Sequence, residues 1–137
     1  MEGYGRDMPV ALLVEDDPDH RELLVRLLKQ ADCRVHAVAD GAQAVELARQ
    51  VRPDLVVLDW RLPGLPGTEI CRRLRSAPET AEAAVLMVTA WVSDGVNNAA
   101  QEAAWSGADD FVLKPISHRE FHARVLALLK RFPPAQE

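Results

Sequence analysis

Five short apolar runs, Val10–Val14, Val35–Val38, Leu55–Leu58, Val85–Val88 and Phe111–Leu113, recur along the chain with segments of helical period between most of them. Leu55–Leu58 is four aliphatic residues with no alternating polar face. That pattern predicts a strand buried on both sides, as at the centre of a parallel sheet. The intervening segments space their apolar residues three and four apart. Leu23, Leu24, Leu27, Leu28 and Ala31 mark one helical face; Ala44, Val45, Ala48 and Val51 mark a second; Ile70 and Leu74 mark a short third; Phe121, Val125, Leu128 and Leu129 mark the last. A further helix is expected within Asp94–Ser106. Strands alternating with helices imply an α/β architecture, a parallel sheet covered on both faces, and right-handed crossovers limit its strand order.

The chain's punctuation agrees. Asp17 and Pro18 read as an N-cap and first helical residue. Asp40-Gly41 reads as a turn, and Pro63, Gly64, Pro66 and Gly67 exclude regular structure after Asp59. Ser117 and Glu120 form the pattern of a capping box, and Pro133-Pro134 ends the last helix. A chain of 137 residues has the length of one domain. It is expected to run over 9–131, with 1–8 and 132–137 as loose tails and no output domain.

Polar residues follow four of the five runs. Asp16 and Asp17 come after the first, Asp59 after the third, Thr89 after the fourth and Lys114 after the fifth. Strand ends of one sense share one edge of a parallel sheet, and ligands bind at that edge. Any one of these residues alone is ordinarily a turn or strand-end residue. Together, three acids, a hydroxyl and a lysine describe a site for a divalent cation and a phosphoryl group. Three close carboxylates repel one another, and one lysine leaves the group about two charges negative. A hard dication that prefers oxygen matches that deficit, Mg²⁺ best of all. Asp59 can then act as a nucleophile toward phosphorus, with Lys114 and the cation neutralising the group in transit.

Composition narrows the classes. The formal net charge of −5 argues against a nucleic-acid surface on this domain. No apolar run approaches a membrane span, and the start MEGYGRDMP lacks an apolar signal core. Cys33 and Cys71 are far apart and form no CxxC, as expected of reduced thiols in a cytoplasmic protein. His20, His36, His118 and His122 read as surface histidines, and Trp60, Trp91 and Trp105 as packing residues.

The segments LLVEDDP, PDLVVLDWRLPG, VLMVTA and GADDFVLKP, in that order, resemble the receiver domain of bacterial two-component response regulators. The resemblance implies a flavodoxin-like, doubly wound sheet of five parallel strands in the order 2-1-3-4-5 with five helices in three layers. It implies that Asp59 is the phosphoacceptor, supplied by a sensor histidine kinase or a histidine phosphotransfer protein. Asp16, Asp17, Asp59 and the backbone carbonyl of Arg61 would hold Mg²⁺. Thr89 and Lys114 would contact the phosphoryl group, Phe111 would be the switch aromatic, and the Lys114–Pro115 bond would be cis. Phosphorylation would change the surface of the fourth helix, fifth strand and fifth helix, presented to an unknown downstream effector. A homodimer through that surface is compatible with GADDF and with Arg124, Lys130 and Arg131, although Asp94–Ser106 contains no Lys or Arg to pair with.

The resemblance further implies that the positions of Arg61 and Trp91, two residues beyond Asp59 and Thr89, influence dephosphorylation, and these side chains are expected to restrict the water that would remove the phosphoryl group. The chain is not expected to be an enzyme beyond its own phosphorylation and dephosphorylation. The competing reading is a Mg²⁺-dependent phosphohydrolase with an aspartyl-phosphate intermediate. Such enzymes commonly carry a second acid two residues past the nucleophile, where this chain has Arg61.

Overall fold

The computed structural model describes residues 8–62, 64–90 and 107–131. Five strands, β1 (Val10–Val14), β2 (Arg34–Val38), β3 (Leu55–Asp59), β4 (Ala84–Ala90) and β5 (Asp110–Lys114), form one parallel sheet in the order β2-β1-β3-β4-β5. Four helices are present among the described residues: α1 (Pro18–Gln30), α2 (Gly41–Val51), α3 (Gly67–Ser76) and α4 (His118–Arg131). The helix expected within 94–106 lies outside the described residues, as do Trp91 and Trp105, most of the expected tails and the Pro133-Pro134 stop. Among the described residues no helix is long and apolar enough to cross a membrane.

Strand alternation sorts the core into two layers. On one face Ala11, Leu13, Leu55, Val57, Leu86, Val88 and Val112 pack with Leu24, Leu27 and Leu28 of α1 and Phe121, Val125 and Leu128 of α4. On the other, Leu12, Val14, Val56, Leu58, Val85 and Met87 pack with Ala44 and Ala48 of α2 and Ile70, Cys71 and Leu74 of α3. β3 is buried along its whole length, whereas β2, at the sheet edge, is only partly covered.

Local chemistry sets the helix ends. Pro18 opens α1 after Asp17. Asp40 caps α2 by accepting from the Ala42 amide at 2.7 Å. Only half of the capping box at α4 forms: the Glu120 amide donates to Ser117 Oγ at 3.2 Å, but the Glu120 carboxylate accepts from Arg124 instead. Gly67, the first residue of α3, packs so close to β3 that a Cβ there would lie 2.7 Å from the Asp59 carbonyl oxygen.

An acidic cluster at the carboxyl edge of the sheet

The chain leaves β1 toward β2 on one side, then crosses back to β3 on the other. The carboxyl ends of β1 and β3 therefore flank the crevice where the connections diverge, the usual ligand site of such sheets. Glu15 follows β1 directly, continues its ladder by donating to the Val38 carbonyl at 3.0 Å, and is buried. Asp59 is the last residue of β3 and is 6% exposed, while Asp16 is exposed. Glu15, Asp16 and Asp59 each bring one carboxylate oxygen within 4.8 Å of the other two.

Lys114, the last residue of β5, reaches this cluster. Its Nζ lies 3.2 Å from Asp59 Oδ2 and 3.7 Å from Glu15 Oε1. The Arg61 amide donates to Asp59 Oδ1 at 3.0 Å, so both oxygens of Asp59 have a donor. The Trp60 amide donates to the Val88 carbonyl and the Gly67 amide to the Trp60 carbonyl, which seats the loop after Asp59. Beside that loop is a cavity of about 420 Å³ lined by Trp60, Arg61, Leu62, Pro66 and Thr68.

Burial pushes the Glu15 carboxyl above the usual carboxylate range; the His20 hydrogen bond opposes this, the Asp59 charge adds to it, and the Asp17 amide and Lys114 oppose it. This is first the cost of taking a carboxylate out of water, with a like charge beside it as the smaller addition. Hard oxygen donors converging on an excess of negative charge suit a divalent cation of the Mg²⁺ type.

Asp17, expected to be a cation ligand, does not join the cluster. It is the exposed N-cap of α1, and it contributes its backbone amide, which donates to Glu15 Oε2 at 3.2 Å. The third acid of the cluster is Glu15, which follows β1 directly. The signal was available: Glu15 is the first polar residue after the Val10–Val14 run, as Asp59 is after Leu55–Leu58. His20 is likewise no open surface histidine. Its side chain is 18% exposed, and Nδ1 lies 2.8 Å from Glu15 Oε1.

Thr89 is buried on β4, one position beyond Val88, the residue that pairs with Asp59. Phe111 is half-buried on β5 and packs on the α2/α3 side of the sheet. Thr89 has the strand parity of Val85 and Met87, so it belongs to the same side. The Lys114–Pro115 bond is cis. Arg61 is exposed.

Two ion pairs hold the GADDF segment. Arg75 at the end of α3 donates to Asp109 Oδ2 at 2.9 Å and to the carbonyls of Gly107, Ala81 and Ala83. Asp109 Oδ2 also accepts from the Val85 amide at 2.8 Å. Nη1 of Arg124 donates to both oxygens of Asp110, at 2.8 Å each, and the Phe111 amide donates to Oδ1 at 2.8 Å. Arg124, one of the bases expected to favour a dimer, is thus engaged within the chain.

A parallel sheet of this order, with carboxylates and a lysine at its crevice, has the architecture of a signalling receiver. The chain belongs to the response regulator receiver domain family, which residues 11–126 match. It is 39% identical to the phosphate regulon transcriptional regulatory protein PhoB of Rhizobium meliloti over 93% of this chain and 55% of that protein. A putative response regulator from Chloroflexus aurantiacus superposes with a TM-score of 0.84 at 32% identity, covering 90% of this chain and 99% of that one. The receiver domain of sensor histidine kinase PA1611 from Pseudomonas aeruginosa, described with magnesium coordinated in its active-site cleft, gives a TM-score of 0.75 at 27% identity, covering 91% and 97%. The chain spans about half the length of the curated relatives it matches. It is a receiver domain of the two-component signalling type, and the phosphohydrolase reading is not favoured.

Proposed function

We propose that Asp59 is the residue this receiver phosphorylates, with Mg²⁺ held by Glu15, Asp16, Asp59 and the backbone carbonyl of Arg61. The observation that carries this is the convergence of three carboxylates within 4.8 Å around an acceptor whose other side faces Lys114. Mg²⁺, when bound, supplies positive charge to the oxygens of the transferring phosphoryl group. The chain's own residues do the rest. Lys114 stands against Asp59 Oδ2 and offers its ammonium to the same group. The Arg61 amide orients the Asp59 carboxylate. An Asp59 oxygen forms the new P–O bond as the P–N bond of a donor phosphohistidine breaks. The donor is a histidine kinase or a histidine phosphotransfer protein. The chain's catalysis is confined to its own phosphorylation and dephosphorylation, in a cytoplasmic setting.

The acyl phosphate adds roughly −1.5 to −2 charges and new acceptor oxygens. Thr89 is the nearest hydroxyl along β4 to answer them, and Phe111 shares its side of the sheet. Their joint movement would alter the surface of β5 and α4, shifting an existing equilibrium. A downstream effector reads that surface, in the same polypeptide or another. If the surface also forms a homodimer, it does so with Arg124 already paired to Asp110 and with Leu126 exposed. Arg61, two residues beyond the acceptor and exposed, slows loss of the phosphoryl group together with Trp91; an Arg61→Ala/Trp91→Ala variant losing it no faster than wild type would count against this.

The direct test is incubation with Mg²⁺ and acetyl phosphate followed by intact-mass measurement. One added phosphoryl group is expected, absent in Asp59→Asn and absent with EDTA. No mass shift in a protein shown to bind Mg²⁺ would refute the proposal.

A further inference from the structure

Glu15 is the most confined carboxylate of the cluster, and both its oxygens have donors. Oε2 accepts from the Asp17 amide at 3.2 Å. Oε1 lies 2.8 Å from His20 Nδ1 and 3.7 Å from Lys114 Nζ. Facing a carboxylate oxygen, Nδ1 carries its proton and donates. The next residue of α1, Arg21, donates from Nη1 to the backbone carbonyls of Glu15 at 2.9 Å and Asp16 at 3.4 Å. Two successive residues of α1 therefore grip the two acids, one by a side chain and one by the backbone.

We propose that His20 is a positioning residue for the divalent-cation site: it fixes the Glu15 carboxylate and leaves Lys114 to Asp59. This rests on the Mg²⁺ reading above. Lys114 stands between two carboxylates, 3.2 Å from Asp59 and 3.7 Å from Glu15. Glu15 Oε1 is the oxygen that both the imidazole and the ammonium could take. With the imidazole on it, the ammonium's shorter contact is with the acceptor. Without the imidazole, Oε1 closes on Nζ, the Glu15 carboxylate rotates away from Asp16 and Asp59, and the ammonium is drawn off Asp59. Outer hydrogen bonds of this kind typically account for ten- to hundredfold in metal affinity.

The test is a Mg²⁺ titration of the whole chain followed by Trp60 fluorescence, in wild type, His20→Ala, His20→Leu and His20→Asn. The asparagine amide nitrogen occupies the place of Nδ1 and donates as it does. His20→Ala and His20→Leu should weaken Mg²⁺ binding about tenfold, and His20→Asn should restore most of it. At saturating Mg²⁺ the alanine and leucine variants should still label more slowly with acetyl phosphate, because Lys114 is diverted. Absence of Mg²⁺ binding by wild type would overturn the cation reading itself. Wild-type affinity in the alanine and leucine variants would overturn the role of His20 and leave that reading intact. Equal loss in all three variants would show that the ring's bulk matters and not its donor, which also overturns the proposal. Urea unfolding in EDTA checks each variant's fold; should the alanine variant not fold, the leucine–asparagine pair decides.

Discussion

Replacing Asp59 by Asn should stabilise the Mg²⁺-free protein, even though it neutralises a buried residue with donors on both oxygens. The carboxylates of Glu15, Asp16 and Asp59 approach within 4.8 Å. At an effective dielectric of about 20, each such pair repels by roughly 3.5 kcal/mol. Asp16 is exposed, so solvent and salt reduce its share to a fraction. Glu15 and Asp59 are both enclosed and keep most of theirs. The opposing loss is the Lys114 contact at 3.2 Å, about 5 kcal/mol on the same scale. Much of that attraction is already offset by desolvating and immobilising the lysine. Lys114 also retains Glu15 as a partner 3.7 Å away, and the asparagine carbonyl can still accept from the Arg61 amide. The balance is a gain of about 1–2 kcal/mol, or about 3–8 °C in Tm for a chain of this size. Mg²⁺ should reverse the order. At a hundred times its Kd it adds about 2.7 kcal/mol to wild type and less to the variant, which has lost a ligand. Urea unfolding with EDTA and with Mg²⁺, at unchanged m, measures both differences. A variant less stable than wild type by the same amount in both media would refute the charge argument, because the loss would then be one of packing alone.

Three further outcomes follow from the geometry. Gly67→Ala forces a Cβ to 2.7 Å from the Asp59 carbonyl oxygen; it should cost about 1–3 kcal/mol and slow acetyl phosphate labelling, and unchanged labelling would show that the loop yields without moving the acceptor. Burial holds the Glu15 carboxyl above its ordinary range, so the folded state binds that proton more tightly than the unfolded chain. Its contribution is therefore fully present below the ordinary glutamate pKa and is lost as pH rises through the raised value. Without Mg²⁺, stability measured by urea should fall across that window and Glu15→Gln should flatten the fall; Mg²⁺ affinity should weaken as pH drops into it. Burial also pushes the Cys33 thiol up to about 11, so at neutral pH iodoacetamide should label it slowly in the native protein and quickly in urea, as followed by mass.

Much of this fold was legible because its signals are local. The unbroken Leu55–Leu58 run reports burial on both sides without reference to any other segment, and β3 is the fully buried central strand. That Asp59 and Lys114 meet at one sheet edge is legible because each ends or follows such a run. What escaped depends on partners distant in sequence or on one residue of phase. Glu15 escapes notice because the ladder extends through its amide, one residue past the apolar run, while Asp17, the expected N-cap of α1, stands outside the cluster. His20 read as a surface residue because nothing in its neighbourhood announces that the first turn of α1 folds it back onto Glu15. Arg75 and Asp109 are 34 positions apart, and their pairing follows only from the packing of α3 beside β4 and β5. The edge strand β2 shows the converse: its apolar run suggests burial, yet having a neighbour on only one side leaves it partly exposed.

The division of the core into two layers has a consequence for how such a domain can change over time. Val88 and Thr89 are adjacent in the chain, yet they face opposite layers, as do Phe111 and Val112. The sheet is thus a partition, with Phe111 and, by strand parity, Thr89 on the side of α2 and α3, and the core of α4 on the other. Substitutions in the compartment under α1 and α4 can drift in volume and shape, and their effects should combine additively with changes across the sheet. A lineage could therefore raise or lower the durability of the scaffold from one side while rewriting its responsiveness from the other.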